Sequence, residues 1–399
     1  MTMGKNDRFY DIDGFLLDLG EEHPLPETQR IFPMYDRLIP YLGKLVEMTS
    51  NIQNKWIIDI GANVGDTVAA IVRHTAANIL CVEPTSEYFA ICEKNISRFG
   101  KEFSDRIHLV KAYVAENTED TYVSFQYARG TAVKVKTDGV PDAPTYTIPS
   151  LLKELNILPN ELALIKVDTD GYDAECVMSL GEILQEISPY LYWENQIDDD
   201  DQLKKYLLLI DYLEDKNYTD FFCFDNFGNY LTCLTGTGLK EIDRYLARVM
   251  HQRSAQTFPY VDVLACKADE KCMCEKAIGS YLLKMEHPIL NSPADYQSEI
   301  KSCTITDSGF EIVVKNSGSV DWSYDKQVKI GLFSEGKDTG IRRSLPIEKI
   351  VKPGEAYAFT FFKEQYEFFE NGGVGVRMLQ EGVAYWGEYQ QIIEPRKDS

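Results

Sequence analysis

Histidine is nearly missing from this chain, with five in 399 residues, and none stands beside the glycine and acidic motifs described below. A histidine base or a Ser–His–Asp set is therefore not expected. The nine cysteines are scattered, and several sit in apolar runs as buried free thiols do. Cys272 and Cys274 form the one close pair, with no second Cys/His pair nearby, which is too little for a zinc site. No run of about 18 apolar residues occurs, and the opening M-T-M-G-K-N-D-R-F-Y-D has no apolar segment of the export type. Neither a spanning helix nor a signal peptide is expected, and with reduced thiols this points to the cytoplasm. Basic charge is also short. The net charge is −22, about −18 of it before residue 289, which disfavours nucleic acid and anionic membranes as partners. Neither a Gly-Lys-Ser/Thr phosphate loop nor G-x-G-x-x-G follows a strand.

What is present is organised around Trp56–Thr67, W-I-I-D-I-G-A-N-V-G-D-T. An apolar run leads into Gly61 and Gly65 and then a helical pattern, which reads as a buried parallel strand, a glycine turn and a helix N-terminus. Strand and helix patterns then alternate. Strands are expected at 56–60, 78–82, 107–114, 162–167, 190–193 and 260–265, with helices between. A hairpin is expected around Asn226–Asn229. Such alternation implies a doubly wound, mostly parallel α/β sheet. After residue 295 helical periodicity stops. Short alternating segments at 310–315, 328–333, 356–362 and 374–379, separated by Gly, Pro and Asn turns, imply an all-β sandwich. The domain reading is a hairpin and helix region at 1–50 belonging to the α/β domain, the α/β domain proper at 51–288, and the sandwich at 289–399.

Four groups of residues fall at the expected carboxyl ends of parallel strands, where open α/β sheets bind ligands. The first is Asp59, Gly61, Asn63 and Gly65 at the turn, with Asp66 and Thr67 opening the helix. Asp59 would meet a cationic group on the ligand. The second is Glu83, with Pro84, about 20 residues after the turn, a position that suits ribose hydroxyls. The third is the run Lys166 to Glu175, K-V-D-T-D-G-Y-D-A-E. Asp168 and then Asp170 are the functional candidates, while two or three acids would serve the next helix through its dipole. The fourth is Glu194-Asn195 closing the fifth strand. Asp168, Glu194 and Asn195 around one point would offer three hard oxygen ligands for Mg²⁺ or Ca²⁺. Without a metal, Asp168, Asp170 or Glu194 would act as general base. Asp198–Asp201 reads as a charge cluster at a helix start.

Together I-I-D-I-G-A-N-V-G-D-T, C-V-E-P and L-I-K-V-D-T-D-G-Y-D-A-E resemble the FkbM-type methyltransferase family over roughly residues 10–266. The family commonly has Glu where Asp170 stands. The resemblance implies a Rossmann-like class I methyltransferase sheet, S-adenosylmethionine as cofactor, and O-methylation of a sugar hydroxyl on a bacterial polysaccharide or glycan precursor. The cofactor would lie on Asp59, Gly61, Asn63, Gly65, Asp66, Thr67, Glu83 and Pro84. The set Asp168, Glu194 and Asn195 is similar to the metal triad of catechol and macrolide-sugar O-methyltransferases. N-S-G-S-V-D-W, R-R-S-L-P and L-Q-E-G-V-A-Y-W in the tail resemble an immunoglobulin-like module found on bacterial polysaccharide-modifying enzymes. There Trp322, Tyr385 and Trp386 are candidates for stacking on sugars, with Trp322 also read as core. The implied partner is a glycan or sugar-containing acceptor. The oligomeric state stays open, a homodimer being one option. The competing function is a non-catalytic glycan-binding or scaffold protein on a methyltransferase fold. A nucleic-acid methyltransferase is a third, disfavoured by charge and by the lack of an N/D-P-P-Y/F motif.

Overall fold

The computed structural model describes residues 8–21, 23–49, 52–118, 123–128, 131–136, 141–252, 259–285, 295–382 and 384–395. Pro288 and Pro293, which bracket the expected link between the two domains, lie outside them. The chain divides into two compact units, Ile31–Leu282 and Met1–Arg30 with Leu283–Ser399.

The first unit is built on one sheet. Its strands are β1 (Trp56–Ile60), β2 (Asn78–Val82), β3 (Ile107–Val110), β4 (Leu162–Val167), β5 (Tyr190–Gln196), β6 (Tyr218–Asp225), β7 (Tyr230–Leu234) and β8 (Tyr260–Lys267). The order across the sheet is β7-β6-β8-β5-β4-β1-β2-β3. β5, β4, β1, β2 and β3 run parallel, and β8 and the β6–β7 hairpin close the other edge antiparallel. The hairpin expected around Asn226–Asn229 is the β6–β7 pair, so the six other strands and this hairpin account for the sheet. Every residue of β4 is buried, and β1 is buried from Ile57 onward, because helices cover both faces of a parallel sheet. The chain reverses its direction of winding between β1 and β4, so the crevice there is the natural ligand position.

The helix after β2 spans Ser86–Ile96, with Thr85 at its N-cap position. Thr85 turns its side chain to Glu83, and Ser86 Oγ accepts from Lys111 Nζ at 2.6 Å. The helix after β4 is short, Asp173–Met178, and is followed by a 3-10 turn at Gly181–Gln185.

The second unit has a three-stranded antiparallel sheet (Ser298–Thr306, Gly309–Asn316, Ala356–Phe362). A four-stranded one is ordered Lys337–Ser344, Val328–Ser334, Val374–Gln380, Ala384–Ile393. Side chains of both, among them Phe310, Ile312, Phe359, Ile330 and Val376, share one core. Trp322 and Trp386 belong to that core, their ring centroids 5.2 Å apart. Both are thus removed from the sugar-stacking candidates, while Tyr385 is exposed.

The N-terminal hairpin, Phe9–Ile12 with Phe15–Asp18, belongs to this second unit and not to the α/β domain as the sequence reading had it. The reason is a buried polar lock. Arg343 Nη1 pairs with Asp11 at 2.8 Å, Arg343 Nη2 donates to the Gly14 carbonyl, and the Ile347 amide donates to Asp13 Oδ1 at 2.6 Å. These partners are more than 300 residues apart in the chain, beyond the reach of local pattern reading.

Candidate active site

At the end of β1 the backbone turns through Gly61 (φ +84°), Asn63 (φ +47°) and Gly65 (φ +87°). A Cβ on Gly61 would stand 1.8 Å from the Asp168 carbonyl oxygen. Gly61 is therefore required by the close approach of the β1 and β4 ends, and Asp168 N donates to Ile60 O at 3.0 Å across the same gap. The amides of the turn are spent internally. Gly61 and Ala62 both donate to Val82 O, Gly65 donates to Ala62 O, and Asn63 donates to Glu83 Oε2 at 2.9 Å. These four amides form no open nest for a phosphate.

Glu83 is the hub of this wall. Its Oε1 accepts from Thr85 N (2.9 Å) and Thr85 Oγ1 (2.6 Å), and its Oε2 from Asn63. Burial pushes its proton affinity up, and these hydrogen bonds oppose the rise. Three bonds leave lone-pair capacity on the carboxylate for a ligand hydroxyl.

Beside the turn lies an open cleft. Ile60, Gly61, Asn63, Glu83 and Pro84 line one side, and Asp168, Thr169, Asp170 and Tyr172 line another. Thr85, Tyr88, Ala112, Tyr113 and Val114 complete it. The sequence thus places Gly61, Asn63, Glu83, Pro84, Asp168 and Asp170 at one cleft. Asp59, Gly65, Asp66, Thr67, Glu194 and Asn195 are not among its lining residues. Tyr88, Tyr113 and Val114 come from ordinary helix and strand patterns, and nothing in their spacing singles them out.

Asp59 is 1% exposed and lies beneath the turn. It stands opposite Lys166 in the β1–β4 register, and Lys166 Nζ reaches both Asp59 Oδ1 (3.2 Å) and Asp168 Oδ2 (3.1 Å). Burial raises Asp59 to about 6 against the pull of Lys166. For Lys166, burial works against the charge, but Asp168, Asp59 and Asp66 outweigh it and hold the ammonium firmly protonated. The cationic group that Asp59 meets is this lysine. Motif reading gave Lys166 no role of its own, since a lone Lys in an apolar strand carries no pattern.

The acidic run after β4 separates by role. Asp170, left-handed at φ +52°, and Asp168 face the cleft. Asp173 is fully buried, accepts from Thr169 N and Oγ1 (3.2 and 2.8 Å), and takes the Glu194 amide at 3.2 Å, which ties the turn to β5. Burial lifts it to about 7. Glu175 pairs with Lys205. Asp199 caps the helix Asp200–Asp215 by accepting from the amides of Asp201 and Gln202, so Asp198–Asp201 is a helix start.

Of the three expected metal ligands, Asn195 is fully buried and engaged elsewhere: it accepts from Trp193 Nε1 at 3.0 Å and donates to Asp243 at 2.7 Å. Among the described residues no group of three or more His, Cys, Asp or Glu side chains could hold a metal ion. Glu194 feels Asp168. Burial, then Asp168 and Asp173, drive its proton affinity well up. Segment 35–36 and β8 add residues no motif announced. Asp36, raised to about 7 by burial and then Asp66, and Asp262, raised by burial and then Asp36, also feel Asp168.

The sheet order, the glycine turn and the cleft at its switch point define a Rossmann-like methyltransferase fold. The sequence match makes this more particular: residues 59–219 match the family model described as the methyltransferase FkbM domain. No curated protein matches the chain. Among solved structures the chain is similar to the precorrin-6y C5,15-methyltransferase of Geobacter metallireducens GS-15 (12% identity, 58% of this chain, 87% of that one, TM-score 0.29). It is also similar to methyltransferase FkbM of Methylobacillus flagellatus KT (11%, 60% and 58%, TM-score 0.28). A third is the O-methyltransferase from Bacillus cereus in complex with SAH (12%, 57% and 81%, TM-score 0.32).

Proposed function

We propose that the protein is an S-adenosylmethionine-dependent O-methyltransferase acting on a sugar hydroxyl of a bacterial glycan or glycan precursor. The family match over residues 59–219, which contains the turn, Glu83 and Asp168, is the observation that carries this reading. The cleft supports it. Amides at its glycine turn are consumed internally, so it suits a ligand without phosphate, and its rim of Asp168, Asp170 and Glu83 suits a cationic one.

The cofactor supplies an activated methyl on a positively charged sulfur. The chain's share is then positioning and proton removal. Glu83 would hold the ribose hydroxyls, Pro84 and the Gly61–Asn63 turn would flank the methionine portion, and Tyr88 with Tyr113 would enclose the adenine. Asp168, tethered by Lys166, would orient the acceptor hydroxyl. Asp168 and Asp170, which line the cleft, are the candidate proton acceptors, whereas burial and the nearby Asp168 charge favour a proton already resident on Glu194. We read the C-terminal sandwich as the immunoglobulin-like module of polysaccharide-modifying enzymes and place the enzyme in the cytoplasm.

Isothermal titration with S-adenosylhomocysteine tests the cofactor half. Wild type should bind, Gly61→Arg should not, and Glu83→Gln should bind about 100-fold more weakly, equivalent to about 2.7 kcal/mol. Absence of wild-type binding would end the proposal. Labelled methyl transfer to bacterial polysaccharide fractions, followed by sugar analysis, tests the acceptor half. Label appearing only in protein or nucleic acid would refute it.

A further inference from the structure

The outer face of the four-stranded sheet carries two tyrosines whose exposure and rigidity do not ordinarily go together. Tyr385 is 43% exposed and Tyr389 40%. Exposed tyrosines usually swing freely, yet both hydroxyls are tied here. Tyr385 Oη donates to Asp338, which is itself clamped by Arg342 through Nη1 and Nη2 (2.6 and 2.5 Å). Tyr389 Oη donates to Gln391 Oε1 at 2.7 Å. Gln391 is anchored in turn by its Nε2 on the Ile393 and Val374 carbonyls.

Both rings stand edge-on to Phe333, at centroid distances of 5.5 and 6.0 Å. Tyr389 lies across Gly375 of the neighbouring strand. A Cβ there would come 2.2–2.6 Å from its ring and hydroxyl. Gly375 has no positive φ to require it, so its lack of a side chain serves to seat the ring.

Two aromatic surfaces held open in this way need little ordering when a ligand stacks on them. The charges around them narrow the ligand. Arg342 is neutralised by Asp338 and Glu381, Arg377 on the neighbouring strand donates to the Gly387 carbonyl at 3.2 Å, and Glu388 stands between the tyrosines in the chain. A neutral ligand with flat C–H faces and hydroxyls for Asp338, Arg342 and Gln391 fits. We propose that Tyr385 and Tyr389 form a binding platform for a neutral glycan, engaging two sugar rings. The site is separate from the methyl-transfer cleft and does not depend on that reading.

The full chain is run, without cofactor, in native gels containing dextran, mannan, galactomannan or xylan. Wild type should be retarded in at least one. Tyr385→Ala and Tyr389→Ala should each weaken binding about tenfold, the loss of one stacked ring. Gly375→Ala should do the same while keeping both tyrosines. Near-UV circular dichroism and melting verify that each variant is folded. No retardation in any gel overturns the proposal, as does equal retardation of wild type and the three variants. Retardation by single-stranded DNA in place of polysaccharide, abolished by the same substitutions, would also overturn it.

Discussion

Lys166 pairs at once with a buried and a half-exposed carboxylate. Its 6% exposed ammonium joins a buried carboxylate to one whose side chain is 51% exposed at the cleft. Removing one partner of a buried pair strands the other charge. Lys166→Met should therefore lower unfolding free energy by about 3 kcal/mol at pH 7.5, measured by urea denaturation. Asp59 can escape that penalty by taking a proton, so the loss should shrink at pH 5. An equal loss at both pH values would contradict the assignment. Asn195 teaches the complementary lesson. Its neighbour Glu194 feels Asp168, while Asn195 itself is engaged by Trp193 and Asp243, partners that the sequence motif does not reveal.

Among elements, the joint between β1 and β4 is the tightest. Gly61→Ala puts a methyl against the Asp168 carbonyl and forces a left-handed backbone on a residue with a side chain. The conformational part alone costs about 1–2 kcal/mol, and the clash must add to it. A lower melting temperature together with lost S-adenosylhomocysteine binding is the expected result. Normal binding by Gly61→Ala would show that the two strand ends can separate freely. The N-terminal hairpin is the second such joint. Arg343→Met leaves Asp11 buried without its counter-charge and should cost about 3 kcal/mol or more. Limited proteolysis should then release the first 20 or so residues early. A cleavage pattern identical to wild type would argue that apolar packing alone holds the hairpin.

For the whole molecule the notable quantity is its buried acid. Asp59, Asp173 and Asp243 are at most 1% exposed, and burial lifts their folded values to about 6, 7 and 7. Their ordinary value is 3.8, so the folded state binds more protons than the unfolded state between about pH 4 and 7. Their contribution to stability is complete below pH 4 and is lost as pH rises through 6 and 7. The net charge of −22 acts in the same direction, since acidification relieves repulsion. The melting temperature should rise as pH is lowered from 8 to 5.5. A flat or falling profile would mean that these carboxyls are solvated in the folded state.

The sequence by itself determined the central strands, the glycine turn, and the approach of Glu83, Asp168 and Asp170 to one cleft. Each rests on short-range physics: apolar runs for buried parallel strands, glycine at positive φ, and strand ends facing one edge. The sandwich strands at 310–315, 328–333, 356–362 and 374–379 are legible for the same reason. Tertiary structure alone decided what each acid does. Whether Asp59 meets a ligand or Lys166, and whether Asp173 caps a helix or ties two strands, depends on which side chains a register brings opposite. The same holds for the N-terminal hairpin, the burial of Trp322 and Trp386, and the seating of Tyr389 on Gly375. Those contacts join residues far apart in the chain, and their energies come from exclusion of water at places that no local pattern specifies.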